Sequence, residues 1–180
     1  MSSRPKGFCS LVGATDGAGN PIKLSDVVRY GWATPVRKPA GFDIGDDEIP
    51  LGHNLFLDNA RQYMAFAMAF RAPISDYVIQ KFGAGTGALP VNVGDVELQN
   101  RVEITPGSGT YTKLIDGADF PAPFTTAFNF TLAAGELNGY LLTEFGLYSG
   151  NDTLMMRWVL PSGISKSADY VPTLRHRLTY

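Results

Sequence analysis

The last third of the chain alternates apolar and polar side chains in four successive runs, over residues 124–132, 137–148, 153–160 and 170–179. In the first run Phe124, Phe128, Phe130 and Leu132 are predicted to share one inward face, because residues two apart on a strand point the same way. The connections between the runs are short, and short connections favour antiparallel pairing of neighbouring strands. The pattern therefore predicts an antiparallel β-meander that forms one sheet of a β-sandwich.

Residues 54–71 carry the one clear helical pattern. Asn54 is placed to cap the helix, and Pro73 is placed to end it. From Tyr63 onwards nearly every residue is apolar, and a helix that is apolar on all sides must be covered on all sides. We expect one face of this helix to lie on the sheet and the other to contact a partner subunit. The residues expected at that contact are Met64, Phe66 and Met68.

Residues 1–53 contain clustered glycines and prolines, which predict an irregular, extended N-terminal arm. One short helix is predicted within it, over residues 24–32, with Ser25 as its cap. The arm holds too many large apolar side chains for a disordered tail, so it has to be ordered by packing on a surface. We expect that surface to belong to a neighbouring subunit. The arm residues expected at the oligomer interface are Tyr30, Trp32, Phe42, Ile44 and Ile49.

Between helix and meander, the sequence predicts short strands and turns. Residues 74–82 are predicted as a strand that leads into a glycine turn over residues 83–87, and residues 95–100 as a turn of helix capped by Asp95. The predicted fold class is mainly β: an antiparallel β-sandwich with one packed α-helix and an extended N-terminal arm. The predicted domains are an arm over residues 1–53 and a β-sandwich over residues 54–180.

Composition narrows the functional classes. Only 18% of residues are charged and the net charge is −2, so direct nucleic-acid binding through a basic field is not expected. Cys9 is the only cysteine, which rules out a disulfide within the chain. The N-terminus has no secretory hydrophobic segment, and the most apolar run, residues 63–70, is too short to span a bilayer. We expect a soluble protein.

Two motifs indicate ligands on a first reading. Residues 83–88 match the dinucleotide fingerprint G-x-G-x-x-G/A, but no helical pattern follows, so a glycine loop that needs positive φ is favoured. Residues 43–48 form the densest acidic run and lack the ligand spacing of an EF-hand, so a solvated acidic turn is favoured. His53 and His176 have no third ligand at zinc spacing. No metal or cofactor is therefore expected.

Glu144 is the most unusual carboxylate, since it sits in an otherwise apolar strand, where a buried acid must be paired or hydrogen-bonded. It could be a catalytic acid with a raised pKa, although a glycosidase would need a second carboxylate. Alternatively it pairs with Arg157 on the next strand or accepts hydrogen bonds from loop amides. Arg157, Arg175 and Arg177 could form a cationic surface or pair with charges on a neighbouring subunit.

Four short motifs follow one another along the chain: FGAGTG over residues 82–87, DVELQNRV over 95–102, LLTEFGLY over 141–148 and LMMR over 154–157. This order resembles virion proteins of tailed bacteriophages found in the neck collar, the baseplate and the bases of tail fibres. In them a glycine-threonine turn, a D-x-x-L-x-N segment and a T-E-x-G-L strand recur. The resemblance implies that these residues form a structural motif. The motif residues are Gly83, Gly85, Gly87, Glu144, Gly146 and Arg157.

The resemblance implies a non-enzymatic structural component of the virion, assembled in the cytoplasm of the host bacterium. We favour a neck or collar protein that forms a ring of identical copies and contacts connector, portal or tail components. The chain is short and lacks the repetitive shaft of a fibre; a baseplate or fibre-attachment adaptor is the alternative. A carbohydrate- or receptor-binding β-sandwich is a second hypothesis, and it requires exposed loop aromatics. The candidates are Tyr111, Tyr140, Tyr148, Trp158 and Tyr180.

Overall fold

The computed structural model describes residues 6–37, 47–68 and 74–179. Within these residues the chain forms ten strands, two α-helices and a short 3-10 helix over Ile74–Asp76. The helices are α1 (Leu24–Arg29) and α2 (Asp58–Met68). The strands are β1 (Lys6–Thr15), β2 (Ile49–Phe56), β3 (Ile79–Gly85), β4 (Arg101–Val102), β5 (Lys113–Leu114), β6 (Gly117–Ala122), β7 (Thr125–Thr131), β8 (Leu141–Ser149), β9 (Leu154–Ser165) and β10 (Val171–Thr179).

All strand pairs are antiparallel and belong to one continuous sheet in the order β4-β3-β8-β9-β2-β1-β10-β7-β6. The sheet folds over, so that Phe82 of β3 contacts Phe130 of β7 with ring centroids 4.6 Å apart. The segment from β5 to β6 closes the gap between the two ends. There Ile115 donates its backbone N–H to the carbonyl of Gln80 in β3, and Asp116 donates its own to the carbonyl of Asn129 in β7. The predicted fold class, a mainly antiparallel β-sandwich, is confirmed.

The core between the two layers is aromatic. Phe145 of β8 stacks on Trp158 of β9 with ring centroids 5.8 Å apart, and Phe130 lies 6.2 Å from the same indole. These side chains are fully buried, and each contributes roughly 1.5–3 kcal/mol through burial alone. Of the four side chains predicted to face inwards over residues 124–132, Phe128, Phe130 and Leu132 are buried. The prediction is wrong for Phe124, which is 78% exposed because it lies in the turn before β7 with a positive φ and not in the strand.

The four C-terminal strands do not form a continuous meander, because two N-terminal strands lie between β9 and β10. β1 pairs with both β2 and β10, and β2 pairs with β9. The prediction of a free arm is therefore wrong for β1 and β2. Phe8, Cys9 and Ser10 are consecutive and all buried, so this strand lacks the alternation that marks a half-exposed strand. Gly7 and Gly13 further obscure the pattern.

The helix predicted over residues 54–71 begins later than predicted. Asn54 is not its cap, because it belongs to β2 and pairs with Trp158 of β9. The chain turns into α2 only at Asp58. Ala60 is buried and Tyr63 packs against the core, which confirms one covered face. The side chains of Met64, Phe66 and Met68, and residues 69–73, lie outside the described part, so their contact with a partner stays a prediction.

The predicted short helix is present as α1, but Ser25 lies inside it. Lys23 occupies the N-cap position and makes no side-chain cap hydrogen bond. The strand predicted over residues 74–82 starts later, as β3, after the 3-10 helix. No helical turn forms over residues 95–100. In the part of the chain that the structure describes, no helix is long and apolar enough to cross a membrane.

Candidate functional site

Glu144 of β8 is fully buried and accepts hydrogen bonds from three directions. Its Oε1 accepts from the Arg157 Nε at 2.5 Å and from the backbone N–H of Gln99 at 2.9 Å. Its Oε2 accepts from the backbone N–H of Asn100 at 3.2 Å. The prediction that Glu144 is buried and paired is confirmed, and the two alternatives, Arg157 and loop amides, occur together. Such bonds to an ionised group are shorter and stronger than neutral ones.

Arg157 of β9 is also fully buried, and its remaining donors hold the same loop. Its guanidinium NH1 lies 2.8 Å from the Asp95 Oδ2, and NH2 donates to the Leu89 carbonyl at 3.2 Å. A longer bond of 3.4 Å joins NH1 to the Pro90 carbonyl. We call Glu144, Arg157 and Asp95 the Glu144 latch. These three side chains are far apart in sequence, and their ion pairs hold the loop of residues 86–100 against the sheet.

The glycines of the FGAGTG motif make room for the latch. Gly83 and Gly85 lie in β3, and neither they nor Gly87 adopt positive φ, so the predicted glycine loop is wrong. A Cβ on Gly85 would lie 2.7 Å from the Asn100 carbonyl oxygen and 2.8 Å from the Glu144 Oε2. A Cβ on Gly87 would clash with the same carboxylate. Here glycine is required because the backbone and a carboxylate approach closely, not because of the backbone conformation.

The other motif glycine, Gly146 of β8, is required for the same steric reason. A Cβ there would lie 2.6 Å from the Leu154 Cδ1 and 3.0 Å from the Leu98 Cδ2. Leu98 belongs to the loop that the Glu144 latch holds, and it is buried beside Leu154. Five of the six motif residues thus lie in or against this loop, whereas a Cβ on Gly83 would lie 2.9 Å from the Tyr111 carbonyl oxygen. Glu144 and Arg157 are both fully buried, and their bonds hold the loop of residues 86–100 against the sheet.

A second ion cluster links β1, β10 and the segment before β2. Arg177 donates from NH1 and NH2 to the two carboxylate oxygens of Glu48, each at 2.6 Å, and the Ser10 hydroxyl donates to the same carboxylate at 2.7 Å. Burial acts to raise the pKa of Glu48, but the hydrogen bonds from Arg177 and Ser10 outweigh it and keep the pKa below its usual value. Glu48 is therefore not part of a solvated acidic turn; residues 43–46 lie outside the described part.

The three arginines do not form a cationic surface. Arg157 and Arg177 are buried, and each is paired within the chain. Arg175 is partly exposed and donates through Nε to the Asn129 side chain at 2.8 Å. Its NH1 lies 3.5 Å from Glu48. The charges of Arg157 and Arg177 are therefore paired inside the fold.

His176 of β10 and Cys9 of β1 are both buried, and they lie opposite each other where the two strands pair. His176 stacks on Trp158 with centroids 4.5 Å apart, and burial lowers its pKa to about 3. Burial also raises the pKa of the Cys9 thiol far above its usual value, so the thiolate is not accessible. Among the described residues no group of three or more His, Cys, Asp or Glu could hold a metal ion. The side chain of His53 is outside the described part.

The aromatic residues proposed for a binding surface divide into two groups. Trp158 and Tyr148 are buried, so they cannot contact a ligand on the surface. Tyr111 and Tyr140 line one open groove of about 430 Å³ beside β4. Tyr180 lies outside the described residues. The groove is the only place where two of the candidates come together within the described chain.

The predicted interface residues of the N-terminal segment also divide. Trp32 is half-buried and stacks on Tyr170 with centroids 4.9 Å apart, and Ile49 is buried in the core. Both therefore serve their own domain. Tyr30 is 61% exposed and available for contact. Phe42 and Ile44 lie outside the described residues.

Sequence reasoning did not identify the most exposed apolar side chains. Phe120 of β6 and Phe124 in the β6–β7 turn are 79% and 78% exposed. We call this pair the phenylalanine tip. The run D-F-P-A-P-F-T-T, with two prolines around a turn, could have indicated an exposed hairpin carrying aromatics. Comparison of the chain with protein-family models, curated proteins and solved structures gives no match in any of the three.

Proposed function

We propose that the protein is a structural component of a tailed-phage particle, a neck or collar subunit that assembles into a ring of identical copies. The observation that carries the proposal is the convergence of the motif residues. Gly85, Gly87, Glu144 and Arg157 come from separate segments and meet at one buried latch. A sequence pattern that resembles phage virion proteins therefore corresponds to a single structural unit of this fold.

Surface composition supports self-assembly. The phenylalanine tip exposes two large aromatic side chains on the β6–β7 hairpin at the edge of the sheet, and exposed apolar groups of this kind mark contact sites. β6 is also an unprotected edge of the sheet, which offers backbone donors and acceptors to a neighbour. In a ring each copy contributes one surface and receives another, so the contact is heterologous and closes at a fixed copy number.

The native mass of the purified protein tests the proposal. We expect mass photometry to give a single closed oligomer, visible as a ring by negative-stain electron microscopy. The variant with Phe120→Ser and Phe124→Ser should shift the mass towards the monomer, since both side chains point away from the core. Val96→Ser is the matched control, because Val96 is 66% exposed on a different loop. A monomer at all concentrations for the unmodified protein would contradict the proposal.

Neck and baseplate rings differ in position rather than in subunit chemistry. A baseplate or fibre-attachment adaptor therefore remains the alternative assignment. Labelling of purified particles with an antibody against this chain distinguishes the two: label at the head-tail junction supports the collar, and label at the distal end of the tail supports the adaptor.

A further inference from the structure

The groove beside β4 borders the loop that the Glu144 latch holds, because both ends of that loop, Thr86 and Asn100, belong to its lining. It is lined by Thr86, Asn100, Arg101, Glu103, Tyr111 and Tyr140 together with a glycine-proline turn. Its volume of about 430 Å³ lies within the roughly 300–1,000 Å³ of small-ligand pockets. Asn100 turns its backbone N–H inwards to Glu144 and its side chain outwards to Thr86, at 3.0 Å. The latch thereby fixes one wall of the groove.

The other walls are also held in place. The Glu103 carboxylate accepts the backbone N–H of Gly107 at 2.6 Å and that of Gly109 at 3.2 Å, which fixes the turn at the rim. Tyr140 is anchored through its backbone, since its carbonyl accepts from the Lys166 N–H at 3.1 Å. Its side chain is 39% exposed. A rigid aromatic platform and fixed polar groups reduce the entropy lost when a ligand binds.

The charges of the groove balance. Arg101 pairs with Glu97 at 3.2 Å, and its guanidinium lies over the Tyr111 ring, 4.5 Å from the centroid. Glu103 also lines the groove, so the lining carries one positive and one negative side chain. A phosphate or sulfate would therefore meet as much repulsion as attraction. This favours a neutral ligand over an anion.

The remaining groups are those of a site for hydroxyl-rich molecules. In the described part of the chain, the hydroxyls of Tyr111 and Tyr140 and the side-chain carbonyl of Asn100 have no hydrogen-bond partner. They provide both donors and acceptors. The Tyr140 ring offers an apolar face against which the C–H groups of a sugar ring can pack. We propose that this groove binds a neutral saccharide, with Tyr140 as the platform and Asn100 as the polar anchor.

A glycan array probed with the intact protein tests this inference, and titration calorimetry then gives the dissociation constant for the brightest glycan. Tyr140→Ala and Asn100→Ala should each weaken binding at least about tenfold, which corresponds to ~1.4 kcal/mol. Tyr30→Ala is the control, because Tyr30 is an exposed tyrosine outside the groove. All three variants should keep the melting temperature of the unmodified protein, because these side chains lie at the surface.

Excess inorganic phosphate should leave the glycan signal unchanged. An array with no signal for the unmodified protein, equal binding by Tyr140→Ala, or displacement by inorganic phosphate would each overturn the inference. The groove and the phenylalanine tip consist of different residues, so either the saccharide site or the ring can fail while the other stands.

Discussion

Glu144 is a single residue that holds a whole loop in place. Its carboxylate is the meeting point of β8, β9 and the loop that carries Gln99 and Asn100. Taking two charges out of water is costly, and the cost is recovered only when every lone pair has a partner. Arg157 provides the charged partner of the Glu144 carboxylate and is itself paired with Asp95 on its other side.

Loss of the Glu144 carboxylate should therefore destabilise the fold. Glu144→Ala leaves the buried Arg157 with Asp95 as its one remaining charged partner. We expect this substitution to lower the free energy of unfolding by roughly 3–5 kcal/mol. Glu144→Gln keeps the shape but places donors opposite donors, so a smaller loss of about 1–3 kcal/mol is expected. Urea denaturation measures both. Glu97→Ala, which breaks the exposed pair with Arg101, is the control and should cost less than ~1 kcal/mol.

His176 makes stability depend on pH. The folded protein keeps its imidazole neutral, because burial lowers the pKa to about 3, whereas the unfolded chain binds a proton near pH ~6.5. The stabilising contribution is therefore fully present above about pH 6.5 and is lost as the pH falls towards the folded pKa. The expected slope is at most about 1.4 kcal/mol per pH unit.

Urea denaturation between about pH 6.5 and about pH 4.5 reads this slope before most carboxylates titrate. His176→Gln should flatten the slope by close to one proton, whatever its effect on the absolute stability. His53→Gln, which removes the other histidine, provides the comparison. An unchanged slope in His176→Gln would show that the buried imidazole is not the group responsible.

Several residue roles could be predicted from sequence and others could not. An acid between Leu142 and Phe145 in an apolar strand needs a partner, and Arg157 lies on the next strand. The pairing of Glu144 with Arg157 could therefore be predicted from the sequence. The backbone amides of Gln99 and Asn100 carry no signal in the sequence. Glycines in a predicted loop usually indicate a positive φ, which is why the sequence favours that explanation. In the structure, Gly85 and Gly87 instead leave room for the Glu144 carboxylate.

Among the elements, the β6–β7 hairpin combines exposure with backbone strain. Phe124 is the second residue of the two-residue turn that begins with Pro123, and its φ is 59°. Turns of this kind prefer glycine at that position. A left-handed conformation costs a non-glycine residue about 1–2 kcal/mol. The strained residue is also one of the two exposed phenylalanines, and this is consistent with retention of Phe124 for contact rather than for folding.

Phe124→Gly should stabilise the isolated fold by about 1 kcal/mol, because glycine adopts this φ without strain. Phe120→Gly is the matched control. Its side chain is equally exposed, but Phe120 does not adopt a positive φ, so glycine there should destabilise by about 0.5–1 kcal/mol. Thermal unfolding at low protein concentration measures both variants. Changes of the same sign in the two would contradict the explanation by backbone strain.

Element prediction worked for β7 and β10, whose buried residues mostly alternate with partly exposed ones. It also worked for β8 and β9, which are buried on both faces over long runs, because the turn at residues 149–152 separates two apolar segments. The buried residues of β1 are consecutive too, but no such turn marks its limits, and glycines interrupt it. Asn54 resembles a helix cap, although it lies within β2, so the predicted start of α2 is too early.

At the scale of the whole molecule, β1 is an internal strand with a neighbour on each side. Deletion of residues 1–48 removes β1 and α1, and it separates β2 from β10. The core loses Phe8, Cys9 and Leu11. We expect the truncated chain to lose its cooperative melt and its native strand signal by circular dichroism.

Deletion of residues 1–5, which stops before β1, is the control for the loss of chain as such. It should keep a cooperative transition. A folded domain after deletion of residues 1–48 would mean that the N-terminal strand is dispensable, as the sequence pattern had led us to expect of an arm.

The pairing of β1 with β10 also determines when the protein can fold. During synthesis β1 leaves the ribosome before all other strands, and β10 after them, yet the two are hydrogen-bonded from Lys6 and Thr179 to Thr15 and Val171. Contacts between such distant segments make folding slow and leave apolar strand edges open while the chain is incomplete. A chain released before β10 is made would therefore leave the β10-facing edge of β1 open, and an open strand edge is prone to aggregate.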